Sequence, residues 1–170
     1  CRARGIPELH AAQDEGQRRL QQAVRHAAVV VDALLGIGVD RPLDLPLALV
    51  VETVNRVREQ RAGTTPLIVA IDVPTGINAD TGAIMGDAIS ADLTIATGVR
   101  KYGHVREPGQ ARAGEVVCVP IGLAFDTEEP PMAETLNAAT LRALLPARPT
   151  DAHKGTFGKV MLVAGAGRYP

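Results

Sequence analysis

Two short stretches constrain this chain more than any other feature. "AVVVD" (residues 28–32) and "PLIVAID" (residues 66–72) each run apolar and β-branched, and each stops at an aspartate before a turn of small residues. An unbroken apolar run of strand length fits a strand covered on both faces, the condition of a parallel sheet. The segments between and after them complete the pattern. Residues 8–26, within "ELHAAQDEGQRRLQQAVRHA", place Leu20, Val24 and Ala27 at helical spacing and predict an exposed helix. From Asp44, "DLPLALVVETVNRVREQRAG" puts Leu47, Val50, Val54 and Val57 on one helical stripe, with Asp44 as cap, Pro46 in the first turn and Gly63 at the end. A third strand is expected in "ADLTIATG" (91–98) and a fourth in "GEVVCVPIGL" (114–123). Strands alternating with helices or long connections give an α/β class: a Rossmann-like three-layer sandwich with a mainly parallel, incomplete sheet.

The character of the chain changes at residues 124–152, where acids and prolines dominate and one short helix is expected around Leu141–Leu145. This reads as an interdomain connection. Beyond it, "HKGTFGKVMLVAGAG" predicts a strand over Val160–Val163 that runs into a glycine loop, the threshold of a second domain. The expected organisation is therefore 1–123, a linker at 124–152, and the start of another domain at 153–170. A chain opening on Cys1 and closing on "VAGAGRYP" is expected to be a piece cut at both ends.

Composition excludes several function classes. A formal charge of −1 with both signs scattered leaves no basic stripe for phosphates, and Tyr102, Phe125, Phe157 and Tyr169 are too few aromatics for stacking bases. Nucleic acid is not an expected partner. No apolar run is long enough to cross a membrane and the N-terminus lacks signal-peptide order, so a soluble, cytoplasmic protein is expected. Cys1 and Cys118 make no disulfide framework or zinc motif; Cys118, inside "EVVCVP", reads as core packing. Neither a Ser/His/Asp order nor a G-x-S-x-G elbow can be assembled, which argues against an ordinary hydrolase.

In open parallel sheets, ligands bind beyond the carboxyl ends of the strands. Asp32 and Asp72 both occupy such ends. One aspartate after a strand serves first as a turn former or cap; two of them at adjacent strand ends point to a shared rim. The turn "GIG" (36–38) is weaker, since it is neither a full G-x-G-x-x-G nor a Walker loop. Arg41 is either a phosphate fork or a solvated side chain. Thr75 in "DVPTG" offers hard oxygens of the kind that hold alkali cations beside a carboxylate, although alone it is a turn hydroxyl. Lys101 and His104 follow the third strand and face the same rim if the sheet is parallel; both read as exposed loop residues. Asp80, His10, His26 and His153 receive no functional role.

The combination "VVDALLGIGVDRPL", "AIDVPTGINADTG", "ADLTIATGVRKYG" and "HKGTFGKVMLVAG", in this order, resembles the NAD(P)H-hydrate repair family over about residues 27–170. The resemblance implies an epimerase domain of the YjeF N-terminal type, joined to an ADP- or ATP-dependent dehydratase of ribokinase-like fold. The epimerase interconverts the R and S hydrates of NADH and NADPH; the dehydratase removes water from the S form at the expense of a nucleotide phosphate bond. Residue by residue, Asp32 matches a potassium-binding acid and Thr75 stands where a serine ligand is usual. Gly36, Ile37, Gly38, Val39, Asp40, Arg41 and Pro42 match the loop that contacts the hydrated dinucleotide, with Ile37 in place of a usual threonine. Asp72 matches the acid near the reacting ring and is the expected general acid or base. His153, Lys154 and Gly155 match the opening of the dehydratase, without a catalytic role. A homo-oligomer is expected for the full-length protein. The family's asparagine- and glycine-rich phosphate loop, which precedes the matched region, has no counterpart here, so the 170-residue chain by itself is expected to be inactive. Two alternatives compete: a non-catalytic scaffold module of related fold, as in mRNA-decapping factors, and a conventional nicotinamide oxidoreductase, for which no complete fingerprint is present.

Overall fold

Each of the two apolar runs forms a strand, and the acid that ends the run marks the strand's carboxyl end. The computed structural model describes residues 4–60, 66–123, 136, 138–153 and 155–161. Strand β1 spans Val29–Asp32, β2 Leu67–Ile71, β3 Leu93–Thr97 and β4 Glu115–Val119. They lie in sheet order β1-β2-β3-β4, all parallel. Asp32 pairs in register with Ala70, so Asp72 follows β2 at the same end of the sheet. This is the α/β, Rossmann-like arrangement that the alternation of elements predicts.

Helix α1 (Arg18–His26) and helix α2 (Leu47–Glu59) cover one face of the sheet. Val24 of α1 and Val51, Val54 and Val57 of α2 pack with Ile68 and Ala70 of β2 and with Ile89 and Ala91. Full burial of each valine contributes on the order of 1.5–3 kcal/mol. Behind this core Arg58 of α2 bonds Asp92 and the Ser90 carbonyl, while Asp92 Oδ2 accepts the Ile68 N–H at 2.8 Å. The start of β3 is thereby tied to β2.

Several local features differ from the sequence reading. The helix expected over 8–26 is interrupted: 3-10 turns occupy Ala11–Gln13 and Glu15–Gln17, and Gln17 adopts φ +55. The Asp14 carboxylate explains the later start, since it accepts the N–H groups of Arg19 at 3.1 Å and Leu20 at 2.9 Å that open α1. Asp44 does not cap α2 through its side chain. Pro46 holds the N-cap position, and Asp44 offers its carbonyl to Ala48 N–H at 3.1 Å. Gly63 lies outside the described residues. Val51 is the most buried residue of the α2 stripe, whereas Leu47 and Val50 lie at its margin.

The other face of the sheet is the less covered of the two. Val29, Val31, Leu67, Val117 and Val119 share the other face of the sheet and stay 40–59% exposed. The physical reason lies in the connections: β1 reaches β2 through a long helix, but β2 to β3 runs through turns, and β3 to β4 through a 3-10 turn and the four-residue helix α3 (Gln110–Ala113). Neither supplies a helix long enough to blanket a face. Cys118, on the opposite face beside Ala96, is also exposed, contrary to the core role expected of it, because β4 is an edge strand of the described sheet.

The chain divides into two compact units, Cys1–Ala124 and Phe125–Pro170. In the second, α4 (Ala138–Leu144) carries most of the expected 141–145 segment. Val160 and Met161 are irregular and 85% exposed, and the rest of the strand expected there lies outside the described residues. Lys154 is also outside them. No helix among the described residues is long and apolar enough to cross a membrane.

Candidate functional site

The turns that follow β1 and β2 interlock at the carboxyl end of the sheet. Asp32 ends β1 and is 3% exposed; Thr75, fully buried, lies in the turn after β2. Asp32 Oδ2 accepts the Thr75 N–H at 2.8 Å, and Oδ1 accepts the Thr75 hydroxyl at 2.7 Å and the Leu34 N–H at 3.3 Å. The Thr75 hydroxyl oxygen accepts the Leu35 N–H at 3.1 Å. The carboxylate thus ties the glycine turn to the turn after β2, which explains why an apolar run should stop at an acid.

The stretch 36–42 is carried toward Asp72 by that tie. A Cβ placed on Gly36 would stand 3.3 Å from Asp72 Oδ2, close enough that the carboxylate would have to give by a few tenths of an ångström. Val39 is buried, and its carbonyl accepts the Asn78 amide at 2.8 Å. Asn78 Oδ1 in turn accepts the N–H groups of Asp80 and Thr81, which places Asp80 in a turn. Gly38, Val39, Asp40, Arg41 and Pro42 line a cleft of about 500 Å³ that continues to Leu47. Ile37 is exposed and outside its lining, and Asp72 reaches the loop through Gly36 rather than through that cleft. Arg41 pairs with Asp44 at 3.7 Å with both side chains largely in solvent, so the pair contributes little to stability.

Asp72 is held in a left-handed conformation, φ +70, which an L residue seldom adopts outside functional or tightly determined sites. Its N–H donates to the Ile95 carbonyl at 2.8 Å. Its Oδ1 accepts the Thr97 N–H at 3.2 Å, the Thr97 hydroxyl and the Lys101 ammonium, and Lys101 also donates to the Thr97 carbonyl at 2.7 Å. Burial by itself pushes the Asp72 carboxyl up, but the hydrogen bonds from Lys101 and Thr97 outweigh it and hold the group below its ordinary 3.8. His104 is 3% exposed; burial, the largest influence, pulls its imidazole below 6.5 against the raising effect of its bond to Asp72.

The sequence alone gives Lys101 and His104 as exposed loop residues, whereas the structure sets both against Asp72. The signal that finds them is topological: consecutive strands of a parallel sheet end at one rim, so the loop after β3 faces the acid after β2. Thr97 and Asn78 lie within the quoted motifs without an assigned role, and their contacts are visible only in three dimensions. Asp32 and Thr75 supply hard oxygens of the type an alkali cation takes, as does the Leu35 carbonyl 3.3 Å from the Thr75 hydroxyl, and here the Thr75 hydroxyl donates to Asp32 at 2.7 Å. Among the described residues no cluster of three or more His, Cys, Asp or Glu offers a transition-metal site.

Known proteins place this geometry in a family. The bifunctional NAD(P)H-hydrate repair enzyme Nnr of Thermofilum pendens is 34% identical over 95% of this chain and 29% of its own length. The NAD(P)H-hydrate epimerase of Limosilactobacillus fermentum is 46% identical over 55% of this chain and 42% of its own. A crystal structure of the yeast protein YNL200c overlaps 68% of this chain and 44% of its own at 26% identity, with a TM-score of 0.47. The chain therefore spans less than half the length of each of these relatives. The family model described as YjeF-related protein N-terminus matches residues 4–103, which contain the whole Asp32, Gly36–Pro42, Asp72, Thr75 and Lys101 arrangement, and the chain belongs to that family.

Proposed function

We propose that this chain carries the epimerising site of nicotinamide-cofactor repair, where the R and S hydrates of NADH and NADPH interconvert. The observation that supports this most is the approach of Gly36 to Asp72 Oδ2, which sets an ionisable oxygen beside the glycine turn. The relatives named as NAD(P)H-hydrate epimerase and repair enzyme support the same substrate class and favour an enzyme over a scaffold module.

Inversion at the hydrated ring carbon needs the hydroxyl to leave as water, taking up one proton, and water to return on the opposite face, releasing one. Between the two steps the ring nitrogen shares its electron pair with that carbon and the ring is cationic. Asp72, ionised at neutral pH, offsets the cation and receives the proton released by the returning water. It passes that proton on to solvent, which also supplies the one that the departing hydroxyl takes up, so no proton is gained or lost over the cycle. The buried oxygens of Asp32 and Thr75 are proposed to hold a potassium ion, which supplies fixed positive charge beside the glycine turn. Gly36 to Pro42 are proposed to bind the dinucleotide, the loop's free backbone amides meeting its phosphates.

The domain reading belongs to the same proposal: residues 1–123 form part of the epimerase, 124–152 a connection, and 153–170 the opening of a dehydratase that uses ADP or ATP. The names of the bifunctional relatives support this reading, and a cytoplasmic, homo-oligomeric full-length protein goes with it. The test is an R-to-S conversion assay on purified product of the full reading frame, in potassium and in a bulky organic cation. Conversion that depends on potassium is expected. A product that binds hydrated cofactor but leaves the spontaneous interconversion rate unchanged would instead favour a binding module.

A further inference from the structure

The two oxygens of Asp72 are treated differently by the fold. Every hydrogen bond to the carboxylate, from Thr97 N–H, the Thr97 hydroxyl and the Lys101 ammonium, falls on Oδ1. Oδ2 faces Gly36 and makes no hydrogen bond among the described residues. A carboxylate with one oxygen saturated and the other bare cannot rotate freely about its terminal torsion. It presents one fixed acceptor.

His104 holds the two ends of this arrangement together. Its Nδ1 accepts the Lys101 N–H at 3.1 Å, and its Nε2 hydrogen donates to the Asp72 carbonyl at 2.8 Å. Only the neutral ring with its proton on Nε2 makes both bonds, since a proton on Nδ1 would meet the Lys101 N–H head on. The loop that carries Lys101 and His104 is docked without slack: Gly103 donates its N–H to the Ala79 carbonyl at 2.7 Å, and a Cβ there would lie 2.9 Å from the Asn78 carbonyl oxygen. Asn78 is the residue that also holds Val39 of the glycine loop.

We propose that Lys101, Thr97 and His104 form a clamp that anchors Oδ1 of Asp72 and leaves Oδ2 as the single oxygen offered to the ligand, with Lys101 and His104 as positioning residues. The proposal rests on Asp72 serving as the acid that meets the hydrated ring. A carboxylate released from the clamp would swing and share its charge between two rotamers. Geometric looseness of about 1 Å at a reacting group costs on the order of a hundredfold in rate.

The experiment uses the full reading frame product in four variants: Asp72→Asn, Lys101→Met, Lys101→Arg and His104→Phe, each checked for a cooperative thermal transition. R-to-S conversion is followed with hydrated NADPH across pH. The expected result for Lys101→Met and His104→Phe is a kcat lowered by about ten- to a hundredfold with KM changed less than about threefold. Lys101→Arg recovers most of the loss. Lys101→Met also moves the acid limb of the pH profile upward, because the carboxyl loses the bond that lowers it; Lys101, His104 and Arg100 are the charged or titratable groups on that side, and a purely structural role would leave the limb in place. An unchanged rate in Asp72→Asn overturns the reading of the acid itself. A dead Asp72→Asn beside Lys101→Met and His104→Phe proteins of normal kcat and pH profile overturns the clamp alone. If His104→Phe fails to fold, the Lys101 pair decides by itself.

Discussion

Gly36→Ala separates packing from chemistry, because the added methyl meets one specific atom. The methyl carbon would lie 3.3 Å from Asp72 Oδ2, a few tenths of an ångström inside comfortable contact, and no other heavy atom outside that side chain comes within 4 Å. Gly36 has no positive φ, so alanine is allowed there, and the loss of freedom in the unfolded chain favours the folded state by about 0.4–1 kcal/mol. The crowded carboxylate costs a similar amount, since Oδ1 is anchored and the group cannot simply swing away. The two effects nearly cancel. The net change in stability should stay within about 1 kcal/mol, or roughly 2–4 °C in Tm for a domain of this size. Activity should not be spared, because the methyl fills the gap between the turn and the only bare oxygen of Asp72. A fall of about ten- to a hundredfold in kcat/KM is expected, which is about 1.4–2.7 kcal/mol of transition-state stabilisation. Thermal denaturation and the R-to-S assay on the same preparation read the two numbers. Gly103→Ala is the control with opposite expectations for stability, because its Cβ would collide with backbone at 2.9 Å and something must shift. Normal kcat/KM in Gly36→Ala would refute the reasoning, as would a collapse of Tm that carries activity down with it.

Two further outcomes are expected. Thr75→Val keeps the shape but removes the hydroxyl that serves Asp32 and Leu35, and should cost about 1–3 kcal/mol while abolishing any rise of Tm with potassium; Thr75→Ser should retain both. Stability should fall as the solution is acidified, in two stages. Folded His104 titrates below 6.5 while the unfolded chain takes its proton at 6.5, so below that pH the unfolded state binds more protons and gains; above it both forms are neutral and the effect vanishes. Asp72, lowered from 3.8 in the fold, contributes stability that is present above 3.8 and is lost as pH falls through its folded value. Equilibrium denaturation between pH 8 and pH 3 in the wild type and in His104→Phe checks both, and the first stage should be missing from the variant.

How much of this was legible in the sequence depends on the range over which each signal acts. Strand cores and their terminal acids are local: apolar β-branched runs and the aspartates that stop them are written in adjacent residues, and β1 and β2 appear where "VVVD" and "LIVAI" stand. Asp32 and Thr75 could be paired because both belong to strand-end turns of one parallel sheet. Helix starts were less legible, because the true cap of α1 is Asp14, four residues before the helix begins, reaching over a left-handed Gln17. Asp44 looked like a cap and is instead an exposed partner of Arg41. The less covered sheet face and the exposed Cys118 could not be read from apolar runs, since a run tells how apolar a strand is and not which elements lie against it. Lys101 and His104 have the composition of any surface loop; what distinguishes them is the 29-residue separation that the sheet closes into one ion pair.

The most direct measurement is the R-to-S conversion rate of Asp72→Asn beside the wild type, in the full reading frame product at neutral pH with saturating potassium. Asparagine keeps the size of the side chain and its place against Gly36 but cannot accept the proton or oppose the ring cation. The expected kcat is at least about a hundredfold lower, with a Tm within about 4 °C of the wild type. A rate within about twofold of the wild type would contradict the role given to Asp72.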